Sequence, residues 1–295
     1  MGQAKQKRAG QCRCRSGKTA GECCYGPNGW FKNPAVINLA EAGETSSHEK
    51  CYLRAEGTCS DKISREHLVS ESVLKVLAEK EVEITGLPFL KGEKKRLGFG
   101  ALTTNKLCRA HNSALSPLDS AGAFFFSAVQ TCGTTVAGES QHFLLSGHDL
   151  ERWMFRTFAA MAVSGNFAVD GVSLQRSTYE ELPFASLLQK PEEWKPPLGL
   201  YFTRRLNTKF GRKDEFQLAP LMSTITNDLI GIHVDIQGLW IGLIGAPHDI
   251  RDTIFKDAIY RPGQFIFRMG RCEHTIVLSW QDGFKHGEIT LTLEP

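Results

Sequence analysis

The sequence predicts an α+β protein, and three observations carry that prediction. Between Ser146 and Asn166 the apolar residues recur at helical spacing, with Leu150, Trp153, Met154, Phe158 and Met161 on one face. From about Leu198 onward they alternate, or run in short blocks around glycine-containing turns, as strands do. Before residue 112, seven cysteines and one histidine gather in two sets of four, the count that a closed tetrahedral metal site requires.

The chain has 295 residues, 41% of them apolar, enough to bury a substantial core. Five stretches follow one another: 1–26, basic and cysteine-rich; 27–47, a linker with one short helix; 48–128, the second Cys/His set ending in a helix over Asn112–Ala128; 129–197, a helical segment; and 198–295, a β-rich part of unassigned role. No apolar run approaches the roughly 18 residues that a membrane span needs. The basic start "MGQAKQKRAGQ" is followed by no apolar stretch, so it does not read as a secretory signal, and it lacks the Ser or Thr of a myristoylation site. Nine cysteines, an odd number in tight clusters, fit metal binding in a reducing cytoplasm better than a disulfide framework. Residues 1–119 hold 19 Lys+Arg against 13 Asp+Glu, a balance of +6, and the rest hold 16 against 19, a balance of −3. That asymmetry suits a nucleic-acid partner and is equally what ordinary surface charge gives.

In the first set, "CRCRSGKTAGECC", Cys12, Cys14, Cys23 and Cys24 are spaced as C-x-C, eight residues, then C-C. Four thiolates make a structural zinc site, and a segment this small would draw its folding energy from the metal. The stretch resembles the SEC-C motif, including Ser16-Gly17-Lys18 after the second cysteine; Arg13 and Arg15 stand where that motif has Pro and Gly. The resemblance implies a docking or nucleic-acid-contacting zinc module, expected to fold by itself and to leave the rest folded when removed.

The second set spans "CYLRAEGTCSDKISREHL" and "LCRAHNSALSPLD". Cys51 and Cys59 form one knuckle, Cys108 and His111 the other; because the first knuckle is wide, His48 is an alternative ligand. Such a site would pin Asn112 close to Glu66 and His67. Asn112, Ser116 and Asp119 are spaced to share one helix face. Oxygen ligands suit Mg²⁺ or Mn²⁺, and a nearby imidazole can take the proton of a water attacking a phosphodiester. The basic stretch "LPFLKGEKKRLGFG" in the long insert between His67 and Cys108 reads either as a β-excursion touching a phosphate backbone or as a solvated charged loop.

In the order "C…C…SREHL…LCRAHNSALSPLD", residues 48–125 resemble the zinc-knuckle type of HNH (ββα-metal) nucleases. That resemblance implies a small zinc-bound β-hairpin-and-helix core. It implies His67 as general base, Glu66 and Asn112 as ligands of a catalytic Mg²⁺ or Mn²⁺, and Asp119 as an accompanying acid. His111 replaces the commoner cysteine, and the insert is far longer than a simple hairpin. The expected activity is metal-dependent endonucleolytic cleavage of nucleic acid, DNA ahead of RNA, with two structural zinc ions. The competing reading is a non-catalytic zinc adaptor that docks nucleic acid or a protein. Protease and deaminase chemistry lack their motifs, with no H-E-x-x-H and no H-x-E…P-C-x-x-C.

Beyond "KPEEWKPPLG", which reads as a boundary, hairpins are expected around Gln237-Gly238 and between "TIVLSW" and "EITLTL". His233, His248, His274 and His286 are scattered and read as structural or solvated, Cys132 and Cys272 as buried thiols. The C-terminal part remains open as a substrate-recognition, partner or dimerisation surface.

Overall fold

The computed structural model describes residues 7–42, 46–165, 167–169, 172–173, 184–203, 214–223, 229–246 and 258–293. It is an α+β fold with a β-rich C-terminal region. A short hairpin, β1 (Tyr25–Gly26) and β2 (Gly29–Trp30), follows the first cysteine set. Then come β3 (Glu66–His67), α1 (Glu71–Leu77), β4 (Glu81–Thr85), β5 (Lys95–Gly98) and β6 (Thr103–Thr104). Two helices follow, α2 (Arg109–Ala114) and α3 (Ser116–Thr134), then β7 (His142–Ser146) and α4 (Gly147–Ser164). After β8 (Ala168–Val169), β9 (Val172–Ser173) and α5 (Phe184–Gln189) come β10 (Gly199–Thr203), β11 (Glu215–Met222), β12 (Leu229–Ile236) and β13 (Leu239–Ile244). The last strands are β14 (Ala258–Tyr260), β15 (Gln264–Met269), β16 (Cys272–Ser279) and β17 (Glu288–Leu293).

Two sheets enclose α3 and α4. One has seven strands in the order β14-β10-β13-β12-β11-β4-β5, the other four in the order β17-β15-β16-β7. Phe125 of α3 packs edge-on against Phe202 of β10 and Phe265 of β15, joining the two sheets through one helix. α3 and α4 press together at Gly122, where a Cβ would stand 2.7 Å from the Trp153 ring. The Gln237-Gly238 hairpin forms as expected, joining β12 to β13 with positive φ at both turn residues.

The other expected hairpin does not form. β16 and β17 lie on opposite edges of β15, β16 antiparallel and β17 parallel to it. The tight link at Gly270-Arg271 closes the hairpin between β15 and β16 instead, and β7 occupies the outer edge of β16. The apolar alternation of β17 is satisfied at the edge of β15 that remains.

α4 also departs from the one-faced helix that its stripe suggests. Ser146 caps it by accepting from Asp149 N at 3.2 Å, and Gly165 in the left-handed region ends it, both as the sequence indicates. Yet every residue from Gly147 to Ala162 is buried, including Glu151, Arg152 and Arg156. Lying between two sheets, the helix has no solvent side, so its charges find partners inside. Arg152 binds Asp149 at 2.5 Å, Ala35 O at 2.7 Å and Leu188 O at 2.9 Å. Glu151 receives Arg261.

Residues 32–39, within the stretch read as a linker, are fastened to the body. Lys32 N donates to Ser279 Oγ at 3.1 Å, Gln281 Nε2 to Asn33 Oδ1 at 3.0 Å, and Ala35 N to the Asp149 carboxylate at 3.0 Å. The first cysteine set docks as well. Cys12 and Cys24 pack on Leu144 of β7, Leu144 N donates to Arg13 O at 3.2 Å, and the Arg13 and Arg15 guanidinium groups lie over Trp30 and Phe143. Deleting residues 1–26 is therefore expected to destabilise the remainder, contrary to the separable module read from the sequence. Uncovering the fully buried Leu144 alone costs about 2 kcal/mol. Urea unfolding of the truncated chain checks this, and an unchanged midpoint would refute it.

Candidate metal centres and the oxygen site

The first cluster brings Cys12, Cys14, Cys23 and Cys24 together, with all ligand atoms within 4.8 Å of one another. The closest sulfur pairs are 3.3 Å (Cys12 and Cys14), 3.5 Å (Cys14 and Cys23) and 3.5 Å (Cys23 and Cys24). Four sulfurs about 2.3 Å from a tetrahedral ion stand about 3.8 Å apart, so the set already approaches a zinc geometry. The backbone brings them there: Ala20 O accepts from the N–H groups of Cys23, Cys24 and Tyr25, and Cys12 N donates to Lys18 O at 3.0 Å. Burial pushes the Cys12 and Cys24 thiols up. Burial also pushes Cys14 up, but hydrogen bonds from Ser16, Cys12 and Cys23 outweigh it and bring that thiol down to about 6. Four crowded thiols cannot all ionise without a cation among them, and a metal ion supplies one.

The second cluster is Cys51, Cys59, Cys108 and His111, all buried. His111 Nδ1 faces the three sulfurs at 3.4, 3.8 and 3.3 Å, bracketing the roughly 3.6 Å expected between N and S ligands of tetrahedral zinc. The opposite nitrogen, Nε2, lies 3.0 Å from Thr58 Oγ1, whose own proton goes to Leu39 O at 2.6 Å. Nε2 must therefore carry the ring proton, which leaves Nδ1 free to bind a metal. Burial holds the His111 imidazole below its ordinary value, keeping it neutral as a ligand must be. His48 does not join: it is half-buried outside the cluster and accepts from Lys50 N at 3.2 Å.

This cluster joins two segments that also pair as strands. Leu68 N donates to Leu102 O at 2.8 Å, β3 pairs antiparallel with β6, Ser64 N donates to Leu107 O at 2.9 Å, and Arg109 N donates to Lys62 O at 2.8 Å. α2 then starts at Arg109 with Cys108 as its N-cap, and α3 follows after a break at Leu115, with Pro117 in its first turn. The segment is thus two antiparallel strands and a helix tied at the Cys/His cluster. The insert leaves this unit after α1 and adds β4 and β5 to the edge of the large sheet. Its basic residues are partly committed there: Lys94 pairs with Glu83 and Glu215, Arg96 with Asp214 and Glu81. Half of the Lys91, Lys94, Lys95 and Arg96 group is therefore held in ion pairs, neither loose in solvent nor free for phosphate.

Glu66, Asn112 and Asp119 converge as the sequence expects, but on an unforeseen residue. The guanidinium of Arg156 donates to Asp119 Oδ1 and, at 2.8 Å, to Asn112 Oδ1, and its Nε lies 3.4 Å from Glu66 Oε1. Glu66 is buried; Tyr52 donates to its Oε1 at 3.1 Å, while its Oε2 has no partner among the described residues. Burial pushes the Glu66 carboxyl up to about 7, against the opposing pull of Arg156 and the Tyr52 hydroxyl. His67, the next residue along β3, is half-buried, and burial lowers its imidazole below the ordinary value; no contact of its side chain with the three oxygen groups is seen among the described residues. The site is therefore a set of carboxylate and amide oxygens with one internal cation.

Arg156 had one sequence signal: it is the lone charge in the apolar run from Trp153 to Val163. Of the remaining histidines, His274 is fixed between Gln141 N and Thr135 O, His286 between Arg261 O and Asp282, and His233 stacks on Trp240, while His248 lies outside the described residues. Cys132 and Cys272 are buried and belong to neither cluster. Among the described residues no helix is long and apolar enough to cross a membrane. A scan against models of known protein families, a search of curated proteins and a search of solved structures each found no match to this chain.

Proposed function

We propose that the chain is a metal-dependent HNH-type endonuclease whose two Cys/His clusters hold structural zinc. One observation carries the reading: Glu66 on one strand of an antiparallel pair and Asn112 and Asp119 on the helices that follow the partner strand all meet one guanidinium, and His67 is the next residue along the Glu66 strand. Donor chemistry supports a hard divalent ion, because the convergent atoms are carboxylate and amide oxygens and Glu66 Oε2 is left over. Glu66 and Asn112 would hold that ion, with Asp119 beside them. Bound Mg²⁺ or Mn²⁺ supplies positive charge where the phosphodiester oxygens gain negative charge. A ring nitrogen of His67 takes the proton of the attacking water. The Cys51, Cys59, Cys108 and His111 zinc fixes the helix start, so that Asn112 keeps its place opposite Glu66. The substrate is nucleic acid, DNA before RNA, and the setting is cytoplasmic.

The adaptor reading draws on a different observation, that Arg156 already neutralises much of the oxygen set. Two measurements on the purified full chain decide between them. Metal analysis should find about two zinc equivalents, one for each four-ligand set. Plasmid nicking should appear with Mg²⁺ or Mn²⁺ and vanish with EDTA. Two zinc ions without nicking would leave the adaptor, and no zinc in folded protein would remove both readings.

A further inference from the structure

We infer that Arg156 is the resident cation of the oxygen site, and that a divalent ion enters only as this guanidinium gives way. The inference rests on the reading of Glu66, Asn112 and Asp119 as ligands of a divalent ion. All three groups face the one guanidinium. An arginine merely bracing one acid would not need an amide and a second carboxylate as well. The side chain has little room to do anything else. It is 5% exposed and issues from a helix buried on every side, so its charge cannot be dispersed in water. Glu66 and Asp119 would otherwise be two carboxylates sharing a confined site with no counter-charge. Arg156 therefore keeps the ion-free protein folded, and the same contacts exclude the ion.

Competition has a direction. Metal affinity is reduced by whatever fraction of the protein has its oxygens engaged by arginine. Glu66 Oε2, buried and without a partner, is the one oxygen of the Glu66 carboxylate free of the arginine and the tyrosine, and gives an incoming ion its first point of attachment. An arriving phosphate offers the displaced guanidinium a second anion to bind, so nucleic acid and divalent ion should favour each other's binding. The site would then stay closed to metal until substrate is present.

The test is a Mn²⁺ titration of the full chain, read by the electron paramagnetic resonance signal of free Mn²⁺. Arg156→Gln removes the charge and Arg156→Lys keeps it but cannot bridge three oxygens. Arg156→Gln should bind Mn²⁺ roughly tenfold or more tighter than the unmodified protein, and Arg156→Lys by a smaller factor of about three. Added Mn²⁺ should also raise the melting temperature of Arg156→Gln more than that of the unmodified chain. Equal or weaker Mn²⁺ binding by both variants overturns the inference; if Arg156→Gln does not fold, Arg156→Lys decides alone. Nicking assays on the unmodified protein separate the two ideas. Tighter Mn²⁺ binding without any nicking keeps the arginine inference and removes the nuclease, whereas nicking with unchanged Mn²⁺ affinity removes the arginine inference alone.

Discussion

His67→Ala should slow phosphodiester cleavage by about two to four orders of magnitude, the usual cost of losing a general base. Zinc content and melting temperature should stay where they are. His67 is half-buried at the end of a two-residue strand, and its backbone pairing with Thr103 does not need the imidazole. It belongs to neither Cys/His cluster. Glu66→Ala should behave differently, because Glu66 is buried against Arg156 and Tyr52 and its loss leaves a buried cation short of a partner. Single-turnover cleavage of a plasmid with saturating Mg²⁺, alongside thermal unfolding, distinguishes the two variants. A His67→Ala protein that cleaves at the unmodified rate would remove the HNH mechanism and leave the adaptor.

The largest loss of stability should come from Glu151→Ala, at about 3–5 kcal/mol, the range for breaking one side of a buried ion pair. Glu151 and Arg261 both have fully buried side chains. Arg261 donates to the carboxylate through Nε at 2.9 Å and Nη2 at 2.7 Å, and Leu200 N donates to it at 2.9 Å. Alanine would leave the guanidinium with Asp282 as its remaining carboxylate and would orphan the Leu200 amide. Glu151→Gln keeps an oxygen for Leu200 and should lose less. Urea denaturation of both variants supplies the comparison, and a Glu151→Ala loss below about 1 kcal/mol, the worth of an exposed pair, would show that the pair does not hold the fold.

Chemistry that is local in sequence was legible, and chemistry that depends on the packing of a helix was not. All eight residues of the two Cys/His clusters could be read, because cysteine spacing within a few residues reports a candidate metal site directly. The convergence of Glu66, Asn112 and Asp119 could be read because the second cluster ties their segments together. Arg156 was missed for a physical reason. An apolar stripe along α4 implies a polar side facing water, and nothing within the helix says that a second sheet covers that side. The same blindness hid Glu151 and Arg152. Strand order failed similarly: the alternation of Ile289, Leu291 and Leu293 identifies a strand, but whether it lies beside β15 or β16 depends on which edge is already taken. The strap at residues 32–39 reads as a linker because, Asn33 apart, its attachments are made by backbone groups, which carry no side-chain signature.

Those attachments impose a timetable on the newborn chain. Lys32 must find Ser279, 247 residues later. At roughly 5–20 residues per second, about 12–50 s of synthesis separate the two. During that interval the sulfurs of the first cysteine set are outside the ribosome while Leu144, Val277 and the strand edge that will receive them are still unmade or unfolded. Early capture of zinc would protect those thiols while they wait. Closure of the fold is then a late event of long loop span, which predicts slow refolding relative to helical proteins of similar size.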